Sequence, residues 1–206
     1  MKSSTTESYS DMTEYPTERH PLEPFLPEGG KILMLGSFPP AQKRWSMDFF
    51  YPNWINDMWR IIGTVFFYDK EHFIIKGEKK FDKKKIVEFC TERGIGLYDT
   101  ASEVRRLKDN ASDKFLEIVR KSDMDVLLDR MPHCHAIVTT GQKASEVIAE
   151  KFDVREPAVG EMTLIEGAGG RKLHFWRMPS SSRAYPLALE KKAEHYRHLF
   201  ETESIL

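Results

Sequence analysis

The feature that most limits the fold of this chain is an alternation of short apolar runs with segments of helical spacing. One run starts at Lys31, ends at Leu35 and meets Gly36; another is Ala136–Thr140, followed directly by Gly141. A short apolar run bounded by turn formers is the pattern of a strand buried on both faces. Between and after these runs the spacing changes. Ile55, Met58, Trp59, Ile62 and Phe66 recur at helical intervals, which predicts a helix with one apolar face and Asn53, after Pro52, as its N-cap. Further helices are predicted over Asp82–Arg93, Lys114–Arg120 (Phe115, Ile118, Val119), Asp123–Arg130, Gly141–Phe152 and Leu187–Thr202. Met162–Ile165 and Leu173–Arg177 are short strand runs joined by Gly167-Ala168-Gly169-Gly170, a hairpin turn. Strands alternating with helices predict a three-layer α/β/α sandwich around a central, mostly parallel sheet of four to five strands.

A chain of 206 residues suits one domain with a sizeable core. Residues 1–18 are rich in Ser, Thr, Glu and Tyr without apolar periodicity and read as a flexible tail; 19–206 read as the single domain, opening with a proline-stiffened arm at His20–Pro27. No apolar run approaches the roughly 20 residues of a membrane span, and the basic-then-apolar order of a secretory signal is missing. Cys90 and Cys134 stand in unrelated contexts and make neither a zinc motif nor a disulfide framework. A cytoplasmic location, no membrane partner and a monomer are the expectations. The net charge of −1 does not announce a polyanion partner, so any nucleic-acid binding rests on local features.

Phosphate-cradling glycine loops, nucleophile elbows and metal-binding signatures are absent from the sequence. Two strings carry more promise. Gly36-Ser37-Phe38-Pro39-Pro40 follows the early apolar run, and Met178-Pro179-Ser180-Ser181-Ser182-Arg183 follows a late one. Loops at the carboxyl ends of parallel strands form the ligand crevice of an open α/β sheet, so the two can face one site. The first loop runs into an aromatic and amide-rich segment holding Phe49, Phe50, Tyr51, Asn53, Trp54, Asn56, Asp57 and Trp59. Aromatic faces stack on planar bases and side-chain amides read base edges or hold a water. Trp59 lies on the apolar stripe and suits the core. Asn56 falls off the stripe, in the first helical turn, and is either a capping residue or a functional amide. In the second loop Ser180, Ser181 and Ser182 are either an ordinary polar turn or donors to phosphate oxygens, with Arg183 as the adjoining cation. Arg105, Arg106, Lys108, Arg171 and Lys172 fall in predicted loops as solvated charges.

The two loops resemble motif 1 and motif 2 of the uracil-DNA glycosylase superfamily. Met178-Pro179-Ser180-Ser181-Ser182 is similar to the second motif of the mismatch-specific thymine/uracil branch. Gly36-Ser37-Phe38-Pro39, with the upstream His20-Pro21, looks more like the hypoxanthine-DNA glycosylase branch. Three further blocks resemble that branch: Asn56-Asp57-Met58-Trp59 after Phe50-Tyr51, Gly94-Ile95-Gly96-Leu97-Tyr98-Asp99, and the Arg106–Asp113 loop ending Asn110-Ala111-Ser112-Asp113.

The resemblance implies a uracil-DNA glycosylase-like domain that flips a damaged nucleotide out of DNA. It implies hydrolysis of the N-glycosidic bond with a placed water and no metal or other cofactor. Asn56 carries over as the catalytic amide that holds the water. Gly36, Ser37, Phe38, Pro39, Tyr51 and Thr140 carry over as the base pocket, with Phe38 or Tyr51 stacking on the base. Pro179, Ser180, Ser181, Ser182 and Arg183 carry over as the DNA-binding loop. The chain departs from the family at three places. Phe38 stands where many relatives have the water-positioning Asn or Asp of motif 1. Met178 stands in place of a helper His. Thr139-Thr140 end the strand that often ends in an Asn reading uracil, and a hydroxyl lacks the paired donor and acceptor of an amide. The expectation is a monofunctional DNA-repair glycosylase for a deaminated base of hypoxanthine, xanthine or uracil type. The alternatives are a non-catalytic DNA- or nucleotide-binding module on the same fold and a nucleoside hydrolase.

Overall fold

A computed structural model describes residues 15–107 and 115–206. The tail up to residue 14, Lys108, Lys114 and the Asn110–Asp113 end of the loop singled out above lie outside the described residues.

The strands are β1 (Thr17–Arg19), β2 (Ile32–Gly36), β3 (Ile95–Asp99), β4 (Ala101–Arg106), β5 (Leu116–Lys121), β6 (Ala136–Thr140), β7 (Glu161–Glu166) and β8 (Lys172–Met178). The helices are α1 (Met58–Phe67), α2 (Lys83–Arg93), α3 (Met124–Asp129), α4 (Gln142–Lys151) and α5 (Leu189–Thr202). A five-stranded sheet runs β3-β2-β6-β8-β7; all its pairs are parallel except β7–β8, the hairpin at one edge. Covered on both faces, the parallel strands β2 and β6 are apolar up to the Thr139-Thr140 end of β6, and every residue of each is buried. One face packs Ile32, Met34, Ile95, Leu97, Ala136, Val138 and Trp176 against α1, α2 and α5. The other packs Leu33, Leu35, Ile137 and Phe175 against α3 and α4. The α/β/α sandwich with its mostly parallel sheet is therefore the fold of this chain.

A second, antiparallel sheet, β1-β4-β5, stands at the carboxyl end of β3. It takes in Thr17 and Glu18, the last two residues of the stretch read from sequence as a tail. It also corrects the predicted helix at Lys114–Arg120: from Leu116 on, this segment is β5. Leu116 and Ile118, two residues apart, join Phe38, Ala101 and Val104 in a small apolar cluster, an alternation that a strand satisfies and a helix does not. Arg105 and Arg106 consequently sit on β4 and Lys172 on β8 rather than in loops.

Helix α1 begins at Met58, three residues later than its apolar stripe suggests, and its N-cap is Asp57, not Asn53. Ile55, the first residue of that stripe, is exposed. The Asn53 side chain instead accepts from the Ile55 N–H, a local turn that competes with helix. Both cysteines are buried and free; burial raises both thiols, that of Cys134 to about 11.

Candidate active site at the carboxyl edge of the sheet

Side chains alternate along a strand, and in-register parallel partners share a face. The parity that sends Met34, Leu97, Val138 and Trp176 into the core under α1 and α5 brings Gly36, Asp99, Thr140 and Met178 to the sheet's carboxyl edge on that same face. Gly36 pairs with Asp99 and Thr140 with Met178. Met178 is fully core and offers the site no polar group.

Glycine at position 36 makes room for two neighbouring side chains. A Cβ at this position would lie 2.4 Å from Asp99 Oδ1 and 3.9 Å from Tyr51 Cε1, so the carboxylate and the phenol ring flank the bare backbone. The other carboxylate oxygen, Oδ2, is 2.8 Å from His20 Nε2. An ionised carboxylate only accepts, so Nε2 carries the proton of that bond. His20 is held in turn by Leu22, whose N–H donates to Nδ1 at 3.1 Å, and by the rings of Phe38 and Tyr98, with centroids at 5.2 and 4.6 Å. Among the described residues Asp99 Oδ1 accepts no hydrogen bond. The one side-chain polar atom there that is both sealed from solvent and unpartnered is Thr100 Oγ1, so Asp99 Oδ1 keeps an open side.

Tyr51 has φ +51°, a left-handed conformation uncommon for an aromatic residue and a form of strain that clusters at functional sites. Its hydroxyl is 3.1 Å from Thr140 Oγ1, and Thr140 also donates weakly to the Leu35 carbonyl at 3.4 Å. Burial, followed by the Asp99 carboxylate, pushes the Tyr51 phenol well above its ordinary value, so it stays a neutral hydroxyl. Phe38 is buried, packed on Val104 and Leu116 with the Arg106 guanidinium 5.5 Å from its ring centre. Arg106 also donates to the Pro39 carbonyl at 2.6 Å and pairs with Glu18, which clamps the first loop from outside. Phe38 also borders a surface cavity of about 360 Å³ between Arg19, Pro21, Pro39 and Arg106. Ser37 is buried in this loop.

The second loop is fixed by its carbonyls. Tyr196 donates to Pro179 O at 3.1 Å, the Asp57 N–H to Ser181 O at 2.9 Å, and Lys192 Nζ to Ser182 O at 2.8 Å. Ser180 Oγ accepts from the Ser182 N–H and Ser182 Oγ from the Ala184 N–H. Each of those hydroxyls still has its own proton to donate. Ser181 is buried, so its hydroxyl is not presented outward. Asn56 forms an antiparallel bridge with Ser182, which sets it directly beside this loop. Asn56 Oδ1 accepts from the Met58 N–H at 2.9 Å; that bond fixes the amide's orientation and leaves Nδ2 without a partner among the described residues. Asn56 therefore precedes α1 instead of lying in its first turn.

A buried charge cluster underlies the junction. Asp57 accepts from Arg183 Nε at 2.8 Å, with Arg60 and Lys192 nitrogens each at 3.9 Å. Arg60 spans Asp57 and the Trp54 ring, 4.4 Å from its centroid. Burial lowers both the Arg60 guanidinium and the Lys192 amine from their ordinary values, and Arg183 lowers both further. Arg183, half-exposed, is turned back onto Asp57 rather than outward.

The sheet thus brings together two adjoining groups, Gly36–Tyr51–Thr140 and Asn56–Ser180–Ser182. They meet where Ser180 packs against Gly141, whose Cβ position is 3.7 Å from Ser180 Cβ. Sequence reasoning missed Asp99, His20, Asp57 and Lys192 as site residues. Asp99 was hidden because β3 was not recognised as a strand; once β3 is paired with β2, the end of the strand is the place to look. Among the described residues no helix is long and apolar enough to cross a membrane, and no group of three or more His, Cys, Asp or Glu could hold a metal ion.

No protein-family model and no curated protein sequence matches the chain. A solution NMR structure of a candidate uracil DNA glycosylase from Methanosarcina acetivorans superposes with a TM-score of 0.58 at 20% identity, covering 89% of this chain and 99% of that one. That likeness, spanning both chains, is one of fold.

Proposed function

We propose that this chain is a DNA glycosylase that hydrolyses the N-glycosidic bond of a deaminated base of hypoxanthine, xanthine or uracil type, as a monofunctional, metal-free, water-using enzyme. The observation that carries this reading is the bridge between Asn56 and Ser182, which joins an amide able to hold water to a loop able to hold phosphate. The fold shared with a candidate uracil DNA glycosylase supports it.

In this reading Ser180 and Ser182 donate their hydroxyl protons to phosphates flanking the lesion, while the tethered carbonyls of Pro179, Ser181 and Ser182 keep the loop from recoiling. Arg183 leaves Asp57 and enters the gap that the flipped nucleotide vacates. The base enters the pocket of Gly36, Ser37, Pro39, Tyr51 and Thr140, and the Tyr51 ring contacts its face. The C1′–N bond breaks with its electron pair going to the base, which leaves an oxocarbenium sugar. Asn56 Nδ2 donates to a water whose oxygen then bonds to C1′; the water's proton ends on the departing base or in solvent. Lys192, the buried amine beside the loop, is committed to the Ser182 carbonyl, which agrees with hydrolysis by water rather than attack by an amine.

The test is base release from duplex and single-stranded oligonucleotides carrying uracil, hypoxanthine, xanthine or mismatched thymine. Release of at least one base, without strand cleavage, is expected. Binding of a lesion with no release from any substrate favours the non-catalytic binding module. Hydrolysis of free nucleosides that is untouched by Arg183→Ala favours the nucleoside hydrolase.

A further inference from the structure

We propose that Asp99, together with the Tyr51–Thr140 hydroxyl pair, reads the lactam edge that deamination of adenine or cytosine creates. This inference rests on the glycosylase reading of the same site and names the residues that select hypoxanthine or uracil over the parent base.

Deamination changes the hydrogen-bonding edge of adenine and of cytosine in the same way. Adenine and cytosine present a ring nitrogen lone pair beside an exocyclic amino group. Hypoxanthine and uracil present a ring N–H beside a carbonyl. A site that selects the product over the parent must place an acceptor at the ring nitrogen and a donor at the exocyclic position. An ionised carboxylate is acceptor-only, and a neutral hydroxyl can donate.

The carboxyl edge of the sheet holds an acceptor and a donor of that kind on either side of Gly36. Asp99 Oδ1 reaches over Gly36 into the space that a Cβ there would fill. It accepts nothing among the described residues. Oδ2 is held by His20 Nε2 at 2.8 Å, and the His20 ring is itself wedged between Phe38 and Tyr98. The carboxylate is thus fixed with one oxygen committed and the other offered. On the opposite side of Gly36, the Tyr51 and Thr140 hydroxyls are 3.1 Å apart. When Thr140 gives up its weak 3.4 Å bond to the Leu35 carbonyl and donates to Tyr51 Oη instead, the phenol proton is free to donate to a base carbonyl. The two hydroxyls and one carboxylate oxygen together supply what a single side-chain amide would supply, from groups on β3, β6 and the segment before α1. Against adenine or cytosine the same acceptor meets a lone pair, and a polar site left with that mismatch rejects the ligand.

Binding is measured with duplex oligonucleotides carrying one 2′-fluoro nucleotide, deoxyinosine against deoxyadenosine and deoxyuridine against deoxycytidine, placed opposite an abasic analogue. The fluorine suppresses the oxocarbenium ion, and the abasic partner removes any base pair to be broken. Wild type is expected to bind the lactam member of at least one pair on the order of 10- to 100-fold more tightly, the discrimination typical of one good two-point base contact. Asp99→Asn turns its oxygen to His20 and its NH2 toward the base, so the preference is expected to vanish or reverse. Thr140→Val, which leaves the His20–Asp99 pair intact, is expected to reduce it and serves if the Asp99 variant does not fold. Equal binding of both members of both pairs by wild type overturns the inference. So does a preference that survives in a folded Asp99→Asn protein, or in Thr140→Val. Release of the unfluorinated bases, measured in parallel, separates the two claims. A lactam preference without release overturns the hydrolysis and keeps the reading of the base; release without a lactam preference does the reverse.

Discussion

Gly36→Ala is the substitution whose outcome the structure specifies most closely. The new methyl would sit 2.4 Å from Asp99 Oδ1, and ordinary contact begins near 3.4 Å, so the carboxylate oxygen has to retreat by about 1 Å. It cannot retreat freely, because Oδ2 is bonded to a buried His20 at 2.8 Å. Retreat lengthens or breaks a hydrogen bond to a charged group, typically worth about 1.5–3 kcal/mol. Other overpacked sites cost a similar ~1–3 kcal/mol. An expected loss of about 2–3 kcal/mol lowers the melting temperature of a chain this size by about 4–12 °C. The diagnostic is a double-mutant cycle with Asp99→Ala, read by thermal and urea unfolding. Gly36 does not have a positive φ, so once the carboxylate is gone the alanine fits, and its effect is expected to be neutral or stabilising by up to about 1 kcal/mol through the unfolded chain. A coupling energy of about 2 kcal/mol or more follows. Equal costs of Gly36→Ala in the two backgrounds would refute the claim that Asp99 closes on Gly36.

Three other outcomes are expected. Asn56→Ala removes the acceptor of the Met58 N–H and should cost about 1 kcal/mol of stability, whereas Asn56→Asp keeps the acceptor and should melt close to wild type; urea midpoints decide this. Lys192 has its pKa lowered by burial, below its unfolded value. Folding therefore favours the neutral amine, and stability should rise as pH climbs through the folded value toward about 10.5. That rise should be absent from Lys192→Met in melting curves between pH 8 and 10.5. DNA binding should show a shallow salt dependence, about −0.9 per phosphate neutralised, because the net charge is −1 and Arg183 is the cation of the loop. A slope near −8 would contradict the few-contact interface.

The sequence is legible where local and tertiary demands agree. β6 reads directly because all five of its residues are buried and apolar or small, and α2 because Asp82 caps it and Gly94 ends it in a left-handed turn. β3 does not read, because Gly94 and Gly96 interrupt its run and its stability comes from pairing with β2. A Cβ at Gly96 would meet the end of the Met131 side chain at 2.8 Å, a contact no local pattern reveals. The start of α1 is displaced for a similar reason: the Asp57 N–H is bonded to Ser181 O and its carboxylate to Arg183, partners more than a hundred residues away. The two loops of the candidate site are visible as sequence because each is rigid and follows an apolar run. The Asp99–His20 pair is invisible because it depends on strand register and on an arm that folds back across the sheet edge.

The central claim is that the carboxyl edge of this sheet breaks a glycosidic bond with Asn56 holding the water. Single-turnover release of base from a lesion-bearing duplex, wild type beside Asn56→Ala, tests it most directly. The account predicts release by wild type and a loss on the order of 100-fold or more in the variant, the scale of removing one positioned polar group from a reaction, with DNA affinity little changed. Release unaltered by the substitution would contradict the assignment of Asn56, and no release from any lesion would contradict the account as a whole.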